Sequence, residues 1–249
     1  MARMIRRLRP ALGIFLVGAI FAAMSHPSLA AWIVAGLGEE PRRGLSAERL
    51  LALATHHLGL AALGLALVAA LGLGLGILVT RAVAAPLRGG IDGIAAAAQA
   101  VPPVVMVALA LPILGFGGPP TLLALVAYGI MPVLRGTVGA LESVSPEARE
   151  AAEALGFTPI QVLLRVELPL ALPGLVDALR TALVLAIATT AVGALAGAST
   201  LGTPIVAGLQ NQNVLPMLQG ALATAALAFL CDAVLLGLAS LVSADRARH

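Results

Sequence analysis

The sequence predicts an all-α integral membrane protein of about six transmembrane helices. Three observations carry this. Hydrophobic residues make up 60% of the 249 positions, charged residues only 11%, and the mean hydropathy is +1.02. A soluble domain is nearer half apolar and a quarter charged, and a soluble monomer this apolar would expose large sticky patches. The apolar runs are continuous over the length of about 20 residues that a helix needs to cross the hydrocarbon core. Aromatic residues are 3%, whereas a lipid-facing barrel needs alternating polarity and aromatic girdles.

The first apolar run, Ala11 to Met24, follows Arg3, Arg6, Arg7 and Arg9, and apolar residues resume after Ser25-His26-Pro27. It reads as an uncleaved helix bent near Pro27. The competing reading is a signal peptide cut after Ser28-Leu29-Ala30. Both readings place residues 39–50, with Glu39, Glu40, Arg42, Arg43, Glu48 and Arg49, in an external loop. Residues 1–56 are therefore an N-terminal helix and loop. The second span is expected from His57 to Thr80, closed by Arg81 and Arg88, and the third from Ile94 to Leu114. Gly115-Phe116-Gly117-Gly118-Pro119-Pro120 is a strong turn signal. A short fourth span runs from Thr121 to Leu134 and ends at Arg135, followed by a polar central segment over residues 136–173. Gly174 to Ala198 and Met217 to Val242 form the fifth and sixth spans, with a tail over residues 244–249.

All fifteen basic residues are arginine. With the N-terminus inside, Arg3, Arg6, Arg7, Arg9, Arg81, Arg88, Arg135, Arg149, Arg165, Arg246 and Arg248 fall on the inner side, and only Arg42, Arg43 and Arg49 on the outer side. That bias is what the positive-inside rule expects, and it puts both termini in the cytoplasm. A phosphate-binding P-loop needs a lysine, so this chain cannot carry one. A net charge of +3 is too small to suggest nucleic acid, and the single Cys231 excludes an intrachain disulfide or a multi-cysteine metal site.

The central segment is the most informative. Ser145 is an N-cap before Pro146, which suits a first helical turn, and Glu147 and Glu150 favour that end electrostatically. Ala148, Ala151, Ala152 and Ala154 are strong helix formers with small side chains. Gly156 stops the helix in a left-handed cap. Thr158 and Gln161 then form a capping box around Pro159, and the second short helix is expected to end at Leu168-Pro169 and Pro173. The product is a helix–turn–helix knob, too short and too polar to cross a membrane. Its small-residue face suits docking into a groove of another protein; the plainer reading is a helix pair lying on the membrane surface.

Glu150-Ala151-Ala152, three residues, Gly156, nine residues, then Val166-Glu167-Leu168-Pro169 resembles the signature loop of bacterial ABC importer permeases, with Val166 where the pattern has Ile. The resemblance extends over residues 57–243. Gln99-Ala-Val-Pro-Pro-Val, Leu111-Pro-Ile-Leu-Gly-Phe-Gly, Tyr128-Gly-Ile-Met-Pro-Val-Leu-Arg-Gly-Thr and Gly193-Ala-Leu-Ala-Gly-Ala-Ser-Thr-Leu-Gly look like the osmoprotectant branch, which imports glycine betaine, choline and carnitine. Arg135-Gly136-Thr137 and Ser199-Thr200 depart from that branch's usual Arg-Asn-Thr and Gly-Gly, which leaves the exact solute open. The resemblance implies a multi-pass protein of the bacterial inner membrane with a five-helix permease core. It implies that Glu150, Ala151, Ala152, Gly156, Val166, Leu168 and Pro169 belong to the loop that couples to a cytoplasmic ATPase subunit. It also implies an extracytoplasmic solute-binding protein and a second permease subunit as partners. The chain itself performs no chemistry and needs no cofactor; ATP is bound by the partner.

Within the membrane, Asp232 is costly and should face a partner or a cavity, with Arg180 and Arg135 as candidate partners. Asp177 and Arg180, three apart on one helix face, also suit each other. The hydroxyls of Thr189, Thr190, Ser199 and Thr200 suit either a solute path or bonds to their own helix carbonyls. Gly64, Gly72 and Gly76 suit close helix packing within the subunit or at a subunit interface. The adjacent His56 and His57 point apart on a helix, against a shared metal. With one Trp, one Tyr and five Phe scattered along the chain, no aromatic cage for a quaternary ammonium is evident; for a betaine solute, selectivity is expected to come from a separate extracytoplasmic binding protein, as the resemblance also implies. The runner-up functions are an ABC permease for amino acids or another small solute, and a self-contained secondary transporter resting on Asp232. No Gly-x-Ser-x-Gly or His-Glu-x-x-His pattern supports an intramembrane enzyme.

Overall fold

The computed structural model describes residues 2–246, with side chains over 8–84 and 86–240. The side chains of Arg3, Arg6, Arg7 and Arg246, and all of Arg248, lie outside what is described. Every regular element among the described residues is a helix, and none is a strand. Among the described residues, five helices are long and apolar enough to cross a membrane, or six crossings if one bent pair counts as a span.

Helix α1 (Ala2–Ser25) stops at His26, and α2 (Pro27–Gly36) restarts with Pro27 in its first turn, so the expected bend is present. α1 lies along the last helix, α11 (Val214–Arg246), where Phe21 and Phe229 stack with centroids 5.6 Å apart. α3 (Ala47–Val79) begins earlier than expected, because Ser46 caps it by accepting from the Arg49 amide at 3.2 Å. Glu48 and Arg49 are thus helical, the external loop shortens to the segment before Ser46, and a boundary at residue 57 falls inside a continuous helix. At 33 residues, α3 is about 50 Å long and overshoots a hydrocarbon core of about 30 Å.

The third span differs most from expectation. It is a pair, α4 (Arg88–Ala100) and α5 (Pro103–Leu114), bent by 91°. Val101 precedes Pro102 and takes the extended conformation (φ −80°, ψ 121°) that the proline ring imposes on its predecessor. The turn after Leu114 is as expected, with Gly115 and Gly117 at φ 75° and 106°. Nor does the fourth span stop at Arg135. α6 (Gly118–Glu142) continues for two further turns, with Gly136 and Gly139 held in helical conformation, and ends before Ser143.

α6 packs between α3 and α9 (Leu168–Val192), and these three helices form the centre of the protein. Small residues set their spacing. Gly64, Gly72 and Gly76 on α3 face Leu125, Val133 and Thr137 on α6, so the glycine stripe is an internal packing face. Val68, Leu125, Val133, Ala182 and Ala186 fill the space between the three helices. A Cβ on Gly72 would lie 2.6 Å from the Val133 Cβ. Gly72→Val is therefore expected to cost about 1–3 kcal/mol by overpacking, read as a lower melting temperature of the detergent-solubilised protein. An unchanged melting temperature would show that the α3–α6 contact is looser than described. Large apolar side chains stand exposed around the outside, among them Leu12, Trp32, Leu109, Ile113 and Leu238. This is the surface expected of a protein whose solvent is lipid.

Candidate functional site

Between α6 and α9 the chain leaves the bundle and builds a small knob. α7 (Pro146–Ala154) starts where the Ser145 hydroxyl accepts from the Ala148 amide at 3.3 Å. It ends in a Schellman turn. Gly156, at φ +82°, donates to Glu153 O at 2.8 Å, and Phe157 donates to Ala152 O at 3.1 Å. α8 (Pro159–Val162) follows, with the Thr158 amide donating to Gln161 Oε1 at 2.8 Å, one arm of the capping box. The second helix does not stop at Leu168-Pro169 or Pro173. A π-turn over Leu163–Glu167, closed by Leu168 N donating to Leu163 O, joins α8 to α9. The wider turn accommodates a residue with no N–H, so the helix runs through Pro169.

The knob presents a mixed face. Glu150, Ala151 and Gly156 are exposed, whereas Ala152 is buried against the rest of the protein. Leu155 at the tip is 77% exposed, with Ile160 and Leu164 also projecting. Neither Leu155 nor Ile160 stands out in the sequence as a contact residue; their signal is an apolar side chain at a polar helix end. Val166, Leu168 and Pro169 are partly buried at the junction with α9.

Behind the knob lies a charge cluster that sequence reasoning missed. Glu167 is buried, and its carboxylate meets Arg81 Nη2 at 2.7 Å and Arg149 Nε at 2.8 Å. Arg149, from α7, also donates to Leu141 O near the end of α6 at 2.6 Å.

Within the bundle, Arg180 and Asp232 form a two-pronged pair, Nε to Oδ1 at 2.7 Å and Nη2 to Oδ2 at 2.9 Å, joining α9 to α11. Asp177 adds a longer contact of 3.4 Å from an exposed position. Arg135 is not a buried charge. It is exposed on α6 and forms no ion pair among the described residues.

The hydroxyls divide. Thr190 donates to Ala186 O of its own helix at 2.8 Å, and Thr200 Oγ1 accepts from the Gly202 amide at 3.2 Å, both inside the protomer. Thr189 is also buried, and Ser199 is exposed in the turn before α10 (Gly202–Gln210). His56 and His57 do point apart. His56 is exposed and contacts Ala52 O of its own helix, while His57 is fully buried. His57 Nε2 lies 3.0 Å from Ile187 O, and Nδ1 accepts from the Leu201 amide at 3.2 Å. An accepting Nδ1 and a donating Nε2 define a neutral ring in a single tautomer. The ring ties α3 to α9 and to the turn that carries Ser199 and Thr200.

The sequence profile of the family described as "Binding-protein-dependent transport system inner membrane component" matches residues 72–243. The chain belongs to that family. It is 36% identical over 181 residues to the glycine betaine/carnitine/choline transport system permease protein OpuCD of Bacillus subtilis, covering 72% of this chain and 78% of the relative. It is 33% identical over 194 residues to the osmoprotectant import permease protein OsmW of Salmonella typhimurium, covering 75% and 88%. The fold is similar to a chain of the MetNI methionine ABC transporter in an inward-facing conformation, with a TM-score of 0.62 at 24% identity over 81% of this chain and 95% of that one. The permease is therefore a multi-pass inner-membrane transport component and not an enzyme. An ATPase and a substrate-binding protein are its partners by family, and the knob is the part of the permease built to project from the bundle.

Proposed function

We propose that this permease is the membrane subunit of an ATP-driven importer of osmoprotectants of the quaternary-ammonium class, such as glycine betaine, choline or carnitine. The observation that carries the solute class is the likeness over most of the chain to permeases named for those solutes. The scarcity of aromatic side chains supports a division of labour in which a separate binding protein selects the solute and the permease passes it. The arginine bias supports a bundle oriented with the knob and both termini in the cytoplasm.

In this reading Glu150, Ala151, Gly156 and the exposed Leu155 enter a groove of the ATPase subunit, while Ala152, Val166, Leu168 and Pro169 seat the knob on the bundle. ATP is bound by that partner, and this chain needs no cofactor. Two permease subunits flank the solute path. Ser199 faces it, and the buried Thr189, Thr190 and Thr200 shape its wall. Closure of the ATPase dimer moves the knob and switches the path between inward and outward access.

The test is uptake into proteoliposomes holding the permease, its ATPase and its binding protein. ATP-dependent entry of labelled glycine betaine, suppressed by excess choline or carnitine and unaffected by methionine, is expected. Uptake of an amino acid in place of betaine would move the solute class to the runner-up. Uptake by the permease alone, without the ATPase, would refute the ATP-driven reading.

A further inference from the structure

We propose that Glu167, with Arg149 and Arg81, is a mechanical clamp that makes the knob and three membrane helices move as one body. The proposal deepens the functional reading above and rests on it. Glu167 is the last residue of the π-turn, and that turn directs both Leu163 and Glu167 into the interior. The carboxylate side chain is 5% exposed and touches a guanidinium through each oxygen, Arg81 at Oε2 and Arg149 at Oε1. A buried carboxylate is tolerated only where it is paired, and this one is paired from two different elements.

The two arginines define what the clamp holds. Arg149 is the fourth of the nine residues of α7. It reaches Glu167 at the start of α9 with Nε and Leu141 O at the end of α6 with Nη2. The Nη2 hydrogen bond to Leu141 O fixes the direction of the guanidinium, and the Glu167 contact, an ion pair outside hydrogen-bond geometry, holds it by charge. Arg81 follows the end of α3, and its Nε and Nη2 also donate to Thr80 Oγ1 at 3.2 and 3.0 Å, which orients the group toward Glu167. Glu167 and Arg149 together thus connect α7 to the ends of α3, α6 and α9. Apart from the chain itself, α7 otherwise seats only Ala152 among its buried residues. Without the clamp, α7 is free to rock on the short segments at its two ends, and a push on the knob is lost before it reaches the bundle. Glu167 is therefore a positioning residue: it contacts neither solute nor ATP.

The experiment compares wild type, Glu167→Gln and Arg149→Lys in the assembled transporter in proteoliposomes. Three quantities are read: recovery of the ATPase with the permease, solute imported per ATP hydrolysed, and the distance distribution between spin labels at Glu153 on α7 and Leu170 on α9, in a Cys231→Ala background. Both variants are expected to retain the ATPase. Import per ATP should fall at least about fivefold in Glu167→Gln, the lower end of a useful coupling between sites, and less in Arg149→Lys, which keeps one contact. The distance distribution should broaden in both. Unchanged import per ATP together with an unchanged distribution would overturn the clamp. Should Glu167→Gln fail to assemble, Arg149→Lys decides by the same two readouts. A wild type that recruits no ATPase would overturn the functional reading instead, and the width of the distribution in the permease would still decide the clamp.

Discussion

Leu155→Asp is expected to abolish association of the permease with its ATPase while leaving its helix content and membrane insertion intact. Leu155 is 77% exposed, so the substitution removes no internal packing. It places a charge on the apolar tip that the docking reading sends into a groove, where a desolvated unpaired charge is heavily penalised. Glu150→Lys, also at an exposed position, should weaken the same contact by reversing its charge. Gly156→Val is expected to reach the same end by another route. At φ +82° a β-branched residue is strained by about 1–3 kcal/mol, and relief of that strain re-aims the Schellman turn. Co-purification from membranes reads all three. Normal recovery of the ATPase by Leu155→Asp would mean that the knob tip lies outside the contact.

The second large effect concerns the intramembrane pair. Arg180→Leu leaves Asp232, whose side chain is 14% exposed, without its two-pronged partner. An unpaired ionised group at that depth costs about 3 kcal/mol, enough to lower the melting temperature clearly. The double variant Arg180→Leu with Asp232→Leu is expected to recover most of the loss, because two well-packed apolar residues can replace a buried ion pair at little cost. Additive losses in the double variant would contradict the pairing. Arg135→Leu should change stability little, since Arg135 is exposed and unpaired.

The parts of this structure that are legible in the sequence are those decided by local chemistry. Ser145, Gly156, Thr158 and Gln161 determine the knob through caps and turns a few residues long, and its first helix, its turn and the start of its second helix have the expected form. Apolar length locates the spans, but it is blind to direction. The break at Val101-Pro102 lies inside a run that satisfies any hydropathy count, and the proline pair is its only sign. Conversely, Pro169 and Pro173 suggest a stop that the π-turn avoids, because that turn is a longer-range compromise than a cap. The cost of Asp232 announces a partner, but choosing Arg180 over Arg135 requires knowing which face of α6 and α9 meets α11. His57 and Glu167 are hidden for the same reason. Each is polar at the edge of a span, and only packing against other elements, Ile187 and Leu201 for His57 and Arg81 and Arg149 for Glu167, shows that it is buried.

The measurement that tests the central claim most directly is site-specific photo-cross-linking in native membranes. One photoreactive residue is placed at Leu155 on the knob and another at Leu209, an exposed position on α10. The label at Leu155 is expected to capture the ATPase subunit, and the label at Leu209 never to do so. Capture of the ATPase at Leu209, or none at Leu155 in membranes where ATP-dependent uptake is intact, would contradict it.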